Sequence, residues 1–381
     1  MEINKIKLPF RLKKTVLALG SQSKNTICLA DGNFAYMSWV HPDLNNPADF
    51  LKFSKSVGYF LRKKPRIIAC DPHPEYQSTK FAQKIIAPKL KLITVQHHYA
   101  HIASCMAENG LKNQKVIGVA FDGTGLGNDQ ALWGGEFLLC DYKNFIRSAS
   151  LKEVPLLGGE RAILEPGRLA AFWLYTAYKD NFLKLDIDFV KRMDKNKWRI
   201  LKSMHEKSFN TPSTSSMGRL FDAVASLVLS KDKANFEAEL AMELERVATG
   251  YGLSLECARD RQATGYEFKI IKQKDKYIID PTAIFKGIVS DLRKNVTKAR
   301  IAHAFHFTVA QIIQKISLKI SQKTGIKKVV LSGGVFQNKL LLKMSLELLK
   351  QKNLCVFTHQ KLSCNDSSLS LGQAMVAGVR N

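Results

Sequence analysis

Lys115–Tyr142 reads KVIGVAFDGTGLGNDQALWGGEFLLCDY, and this stretch decides the fold. An apolar run, VIGVAF, meets DGTGLG, and a second run, ALWGGEFLLC, follows it. The pattern predicts strand, glycine-rich turn, strand, with IRSASLKEVPLLGG adding a third strand beyond. The first fifty residues follow the same plan. TVLALG, SQSK and NTICLADGNFAYMS alternate apolar and polar residues between turn signals, which predicts a hairpin and a third strand. The echo is one of architecture, without close sequence repetition. Two strand meanders, each followed by helices, predict a duplicated α/β fold of two lobes with a cleft between them.

Working outward, residues 48–63 are expected to be helical, and PRIIACD at 65–71 to be a short buried strand ending in the loop DPHPEY. KLITVQ is the next strand, and a helix runs from His97 to Asn109, stopped by Gly110. The first lobe is therefore assigned to 1–114 and the second to 115–381. The second holds a helical insertion at about 160–323, broken by SFNTPSTSS and by a hairpin around 266–280. KKVVLSGGV is a last buried strand leading through a glycine turn into the helix FQNKLLLKMSLELLKQ. The closing helix, DSSLSLGQAMVAGV, returns to the cleft.

Composition narrows the class. The 381 residues are 45% hydrophobic, enough for a large core, and hold no run of about 18 uncharged apolar residues that would span a membrane. The basic start, MEINKIKLPFRLKKTVLALG, lacks a small-residue cleavage site and reads as a first strand. Seven cysteines without a CxxC pair fit reduced thiols in a cytoplasm. The net charge of +25 would attract polyanions, tRNA included. Yet the lysines are spread, with modest clusters at 5–14, 191–202 and 272–276, and no basic run is interleaved with stacking aromatics. A solvated surface is favoured over a nucleic-acid role, and over docking of an acidic partner.

Five segments carry candidate chemistry. In VQHHYAHIAS, His97 and His101 lie four apart at a helix start, so both imidazoles leave one face and can reach one metal ion. No glutamate stands between them as in HExxH, and clustering without a metal fits the bare spacing equally. His98 points away. In DGTGLG, Asp122, Gly123, Thr124 and Gly125 can form a nest for anionic oxygens, or hold a metal- or phosphate-bound water; a plain hairpin turn is the other reading. In VVLSGGVFQN, Gly333 and Gly334 let a nucleoside lie against bare backbone, with Asn338 on its polar edge or ribose; a tight strand–helix turn is the alternative. In SSMGRLFDAVASL, Asp222 sits among apolar residues and needs a partner, either ribose hydroxyls or Arg219. In CNDSSLSLGQA, Asp366 is an Asx cap or a further metal ligand.

The order of these segments is the distinguishing feature. LALGSQSKNTICLA, CDPHPEYQST, VQHHYAHIAS, FDGTGLGNDQALWGGEFL, PLLGGERAILEPGRLAA, SSMGRLFDAVASL and LSGGVFQNKLL resemble segments of the HypF carbamoyltransferases, in the same sequence, over residues 14–379. The resemblance implies the two-lobed actin/Hsp70-like nucleotide-binding fold. It implies one divalent metal, iron or zinc, on His97, His101 and Asp366, which would be the catalytic set. It also implies phosphates at 122–125, with Asp222, Glu237, Ala238 and Asn338 toward the ribose and adenine of ATP, AMP or carbamoyl-adenylate. The implied reaction passes a carbamoyl group from carbamoyl-adenylate to the C-terminal cysteine of a HypE-like partner, a step in [NiFe] hydrogenase maturation. The acylphosphatase, zinc-finger and YrdC-like parts of the longer family members have no counterpart in these residues, so a YrdC-like protein would act in trans.

Three motifs depart from the family. Asn365-Asp366-Ser367-Ser368 replaces Asn-Asp-Gly-Gly, Phe236-Glu237-Ala238-Glu239 replaces Tyr-Glu-Gly-Gln, and Glu165-Pro166-Gly167-Arg168 replaces Glu-Pro-Trp-Arg. Two other readings therefore stand beside the first: a tRNA threonylcarbamoyl-adenosine-type enzyme, and a nucleotide- or metal-binding homologue with weakened catalysis.

Overall fold

Short alternating segments at the start of the chain build a six-stranded sheet. The computed structural model describes residues 4–88, 90–252 and 264–380. In space the strands run Asn4–Lys7, Phe34–Met37, Cys28–Asp31, Val16–Ala18, Ile67–Cys70 and Lys91–Thr94. The first four are antiparallel neighbours, and the last two join in parallel. Val16–Ala18 and Ile67–Cys70 are buried at every residue, as expected for central strands covered on both faces.

By compactness the chain forms two units, and the division falls elsewhere than at 114/115. The first unit comprises 1–148, 320–337 and 353–381; the second comprises 149–319 and 338–352. The strand Val116–Leu126 stays with the first unit because Val116 and Ala120 share a core with Tyr99, Ile102 and Met106 of the helix His97–Glu108. It pairs antiparallel with Leu132–Cys140 and parallel with Lys328–Ser332, which in turn pairs with Cys355–Phe357.

DGTGLG is not the turn. Asp122 to Leu126 continue the strand, with Gly125 opposite Trp133, and the turn falls at 127–131, closed by Gly127 N–H to the Ala131 carbonyl at 2.8 Å. A register shift between Trp133 and Gly135 absorbs the irregularity on the partner strand. Asp129 fixes the turn instead, accepting from Ala131 N–H and from the Trp133 indole.

The helix Pro47–Leu61 has local reasons to form. Asn46 caps it by accepting from Ala48 and Asp49, Pro47 opens it, and Phe53, Val57 and Phe60 place one face in the core with Leu17, Leu19 and Ile68. His97–Glu108 ends as expected, with Gly110 at φ +68°. It is buried from His97 through Ala107, and so is the closing helix Leu369–Val379 as far as Gly378.

The second unit is mainly helical, with Gly167–Tyr178, Lys195–Glu206, Met217–Leu229, Glu239–Gly252, Thr282–Arg293, Lys339–Lys350 and, as far as Lys319, Lys298–Thr324. The expected hairpin is Lys269–Gln273 with Lys276–Asp280. Aromatic pairs fasten its core: Trp173 stacks on Phe285 at 5.3 Å, and Phe221 meets Phe305 edge-on at 4.8 Å. Cys257 lies outside the described residues. Among those described, no helix is long and apolar enough to cross a membrane.

Candidate metal centre and nucleotide-side residues

Gln96 starts the helix that carries the histidine pair. Its side-chain oxygen accepts from Tyr99 N–H, and its amide nitrogen meets His98 Nδ1 at 3.1 Å and the Leu126 carbonyl. His98 is thereby turned aside, and burial with the neighbouring His97 lowers its pKa well below the usual range. His97 and His101, one helical turn apart, have ring centroids separated by 5.1 Å.

Their Nε2 atoms face two carboxylates. Asp122 Oδ2 lies 3.3 Å from His97 Nε2 and 3.2 Å from His101 Nε2; Asp366 Oδ1 lies 3.6 and 3.4 Å from the same atoms. One ligand atom from each of the four residues falls within 4.8 Å of every other. Two imidazole nitrogens and two carboxylate oxygens suit zinc or iron. Asp122 thus stands with the expected metal set of His97, His101 and Asp366. Its other oxygen, Oδ1, accepts from Gly123 N–H at 2.9 Å and Gly334 N–H at 3.1 Å.

The electrostatics fit a cation. Burial alone would depress both imidazoles. For His97 the charges of Asp366 and Asp71 outweigh it and hold the pKa well above the usual range. For His101 the bonds to Asp122 and Asp366 outweigh burial and raise the pKa. Burial opposes ionisation of Asp122 and Asp366, yet the two imidazoles bring both carboxylates below their ordinary value. Protons occupy the place in the charge balance that a divalent ion would take.

Asp71 is the member the sequence reading missed. It follows the strand Ile67–Cys70, is fully buried, and its Oδ2 lies 2.7 Å from His97 Nδ1. A carboxylate acceptor keeps a proton on Nδ1, so Nε2 is the nitrogen that offers its lone pair to the cluster once the ring is neutral. The signal was a carboxylate placed directly after four buried residues, in a segment read only as loop.

Glycine at 125 makes room for the histidines: a Cβ there would lie 2.6 Å from His98 and 2.8 Å from His97. Gly333, at φ +105°, would bring a Cβ to 2.2 Å from the Phe121 carbonyl, so only glycine turns the chain there. Gly123 and Thr124 are half-buried at the strand's end. The side chains of Ser367 and Ser368, at positions where the family carries glycine, bond locally to Asn365, Ser367 to its Oδ1 and Ser368 to its carbonyl.

The remaining expected residues belong to the second unit. Asp222 is 2% exposed, with Arg219 Nη2 3.1 Å from Asp222 Oδ2 and 3.1 Å from Glu237 Oε1. Nε and Nη1 of Arg219 have no hydrogen-bond partner among the described residues. Burial pushes Asp222 up to about 6, against the pull of Arg219. Ala238 adopts φ +67°, the left-handed conformation for which glycine is suited. Asn338 precedes the first helical turn as its cap. Its oxygen accepts from Leu341 N–H, and its Nδ2 donates to His306 Nε2 at 2.9 Å, so both ends of the amide are engaged locally. His306 is set for this by donating Nδ1–H to the Ala302 carbonyl.

An α/β chain of mixed sheets, with a strand running into a glycine turn behind a buried His–Asp group, is of the actin-like nucleotide-binding class. The family model described as the carbamoyltransferase Kae1-like domain, second subdomain, matches residues 118–373, and that of the HypF Kae1-like domain matches 11–108. The chain belongs to the HypF carbamoyltransferase family. It is 34% identical to carbamoyltransferase HypF2 of Cupriavidus necator over 95% of this chain and 46% of that protein. It is 33% identical to a carbamoyltransferase HypF homolog of the same organism, covering 95% of this chain and 91% of that one. A crystal structure of full-length HypF in a phosphate- and nucleotide-bound form superposes with a TM-score of 0.89 at 38% identity, over 99% of this chain and 57% of that one. HypF of T. kodakarensis gives 0.85 at 28% identity, over 98% of this chain and 48% of that one. The chain thus spans about half the length of most curated relatives it matches.

Proposed function

We propose that this chain is a carbamoyltransferase of the HypF type, which passes a carbamoyl group from carbamoyl-adenylate to the C-terminal cysteine thiol of a HypE-like partner in hydrogenase maturation. The observation that carries the reading is the buried group of His97, His101, Asp122 and Asp366, with four ligand atoms within 4.8 Å. One divalent ion, iron or zinc, held by these residues would supply Lewis acidity toward a carbonyl oxygen. Asp71 fixes the His97 tautomer, and Gly123 and Gly334 N–H orient Asp122. Within the second unit, Nε and Nη1 of the buried Arg219 have no hydrogen-bond partner among the described residues and would suit a ribose or phosphate oxygen.

In the transfer, the C–O bond to AMP breaks, AMP leaves with its electron pair, the acceptor sulfur forms a C–S bond, and the thiol proton is released. The nucleophile is the partner's. Cys364, beside Asp366 in sequence, is pushed up to about 12 by burial and the charge of Asp122, so it stays a thiol at neutral pH. Adenylate formation would fall to a YrdC-like unit outside these residues. The six described cysteines, all free of disulfides, suit a cytoplasmic setting.

The test is transfer itself. The chain is supplied with carbamoyl-adenylate made in situ by a YrdC-like protein and with a HypE-like acceptor, and intact mass reports S-carbamoylation. His97→Ala should abolish it. No transfer by the parent chain, at any acceptor concentration, would remove the reading. The charge of +25 favours a second reading with tRNA as acceptor, and carbamoylated tRNA in the same mixture would select it.

A further inference from the structure

We propose that Glu108, His359 and Ser332 form a clamp that positions the Asp366 segment against the helix bearing His97 and His101. Glu108 is the last residue of that helix. Its Oε1 accepts backbone N–H bonds from Gln360 (2.9 Å), Leu362 (3.0 Å) and Lys361. Its Oε2 lies 2.5 Å from His359 Nδ1, and His359 Nε2 lies 3.0 Å from Ser332 Oγ. Glu108 and His359 are each 4% exposed in their side chains, and Ser332 is fully buried. Nothing in the transfer chemistry uses these three residues.

The proton positions follow from the partners. An ionised Glu108 only accepts, so His359 is protonated at Nδ1. Its Nε2 pairs with the Ser332 hydroxyl, which can donate or accept. Serine, imidazole and carboxylate in this order have the geometry of a hydrolase triad, but the surroundings exclude a nucleophile. Ser332 has no exposed surface. The two backbone donors beside it are committed, Gly333 N–H to the Cys364 carbonyl at 3.0 Å and Gly334 N–H to Asp122 Oδ1 at 3.1 Å. With no free donor and no access, the array acts on position.

What it positions is set by the chain path. His97 and His101 open the helix that Glu108 ends. Ser332 ends the strand that turns through Gly333 and Gly334 onto Asp122. Residues 358–362 lead directly into Cys364, Asn365 and Asp366, and Asn109 Nδ2 adds a bond to the Thr358 carbonyl at 2.9 Å. The three segments that bring the four ligand residues together are thus tied at one buried carboxylate–imidazole–hydroxyl chain. The inference rests on the metal reading above, and it assigns His359, Glu108 and Ser332 as positioning residues for that site.

Co2+ serves as probe on the full chain, with affinity measured by chelator competition and the visible absorption band as a second readout. His359→Ala should lower Co2+ affinity about 10- to 100-fold, as expected for residues behind a ligand shell, and shift the band, with far-UV circular dichroism unchanged. Ser332→Ala should show a smaller loss that does not add to that of His359→Ala. His359→Asn, which keeps a donor toward Glu108, replaces His359→Ala should that variant fail to fold. Affinity within twofold of the parent in the folded variant overturns the clamp. Should the parent itself take up no Co2+, the metal reading fails, and amide exchange in the metal-free chain decides the clamp alone. Faster exchange at residues 364–368 in the His359 variant supports it, and unchanged exchange overturns it.

Discussion

Replacing Asp71 by Asn should weaken metal binding about 10- to 100-fold without touching a ligand. Asp71 Oδ1 accepts from His73 N–H at 2.9 Å, while Oδ2 meets His97 Nδ1 at 2.7 Å. An asparagine that keeps the first contact turns its NH2 toward Nδ1, which must then accept. The imidazole proton moves to Nε2 and covers the lone pair that faces Asp122 and Asp366. At about 1.4 kcal/mol per decade, the loss is roughly 1.4–2.7 kcal/mol of binding energy. The metal-free chain carries a second signature. The pKa of His97 is raised above its ordinary 6.5, so its protonation stabilises the fold fully below that pH, and the gain is lost as pH rises through the raised value. Asp71→Asn removes one of the charges responsible. The metal-free variant should therefore lose more stability at pH 6 than at a pH where His97 is already neutral. Zinc titration against a chelator, together with urea unfolding at the two pH values, tests both limbs. Zinc affinity within twofold of the parent would refute the tautomer argument.

Three further outcomes are expected. Ala238→Gly relieves a left-handed alanine at φ +67° and should raise stability by about 1 kcal/mol in urea unfolding; a lower midpoint would contradict this. Because Asp222 holds its proton to about 6 in the fold, unfolded chains release it first, and stability falls as pH rises from about 4 to about 6. In Asp222→Asn that portion of the pH slope should vanish, whatever the variant's absolute stability; an unchanged slope would place the titration elsewhere. Gly125→Ala drives a methyl into the rings of His97 and His98 and should cost about 1–3 kcal/mol, with weakened metal binding. Parent-like stability and affinity would show that the rings can move aside.

The histidine pair was legible because a four-residue spacing at a helix start fixes two directions at once, and the structure gives that helix almost to the residue. Asp366 could be named only through the resemblance, since an Asx cap reads the same in sequence. DGTGLG misled because glycine is a turn signal by default. Here pairing with Leu132–Cys140 continues through it, and a shift at Gly134 on the other strand supplies the freedom that was assigned to Gly123 and Gly125. Asp71 and the Glu108–His359–Ser332 chain were beyond local reading. Each joins positions far apart in the chain, and hydrogen-bond direction, which no periodicity encodes, defines their roles. Arg219 was visible as a partner for Asp222, but the two nitrogens it leaves unpaired belong to tertiary packing.

Asp122 divides its two oxygens between the imidazole pair and the amides of Gly123 and Gly334. A charge arriving on the imidazole side draws electron density from the same carboxylate that anchors the glycine bend. Were an ion held there, whatever presses on that bend would, by thermodynamic reciprocity, alter the grip on it by an equal factor. Loading on one side would then be felt on the other through a single side chain.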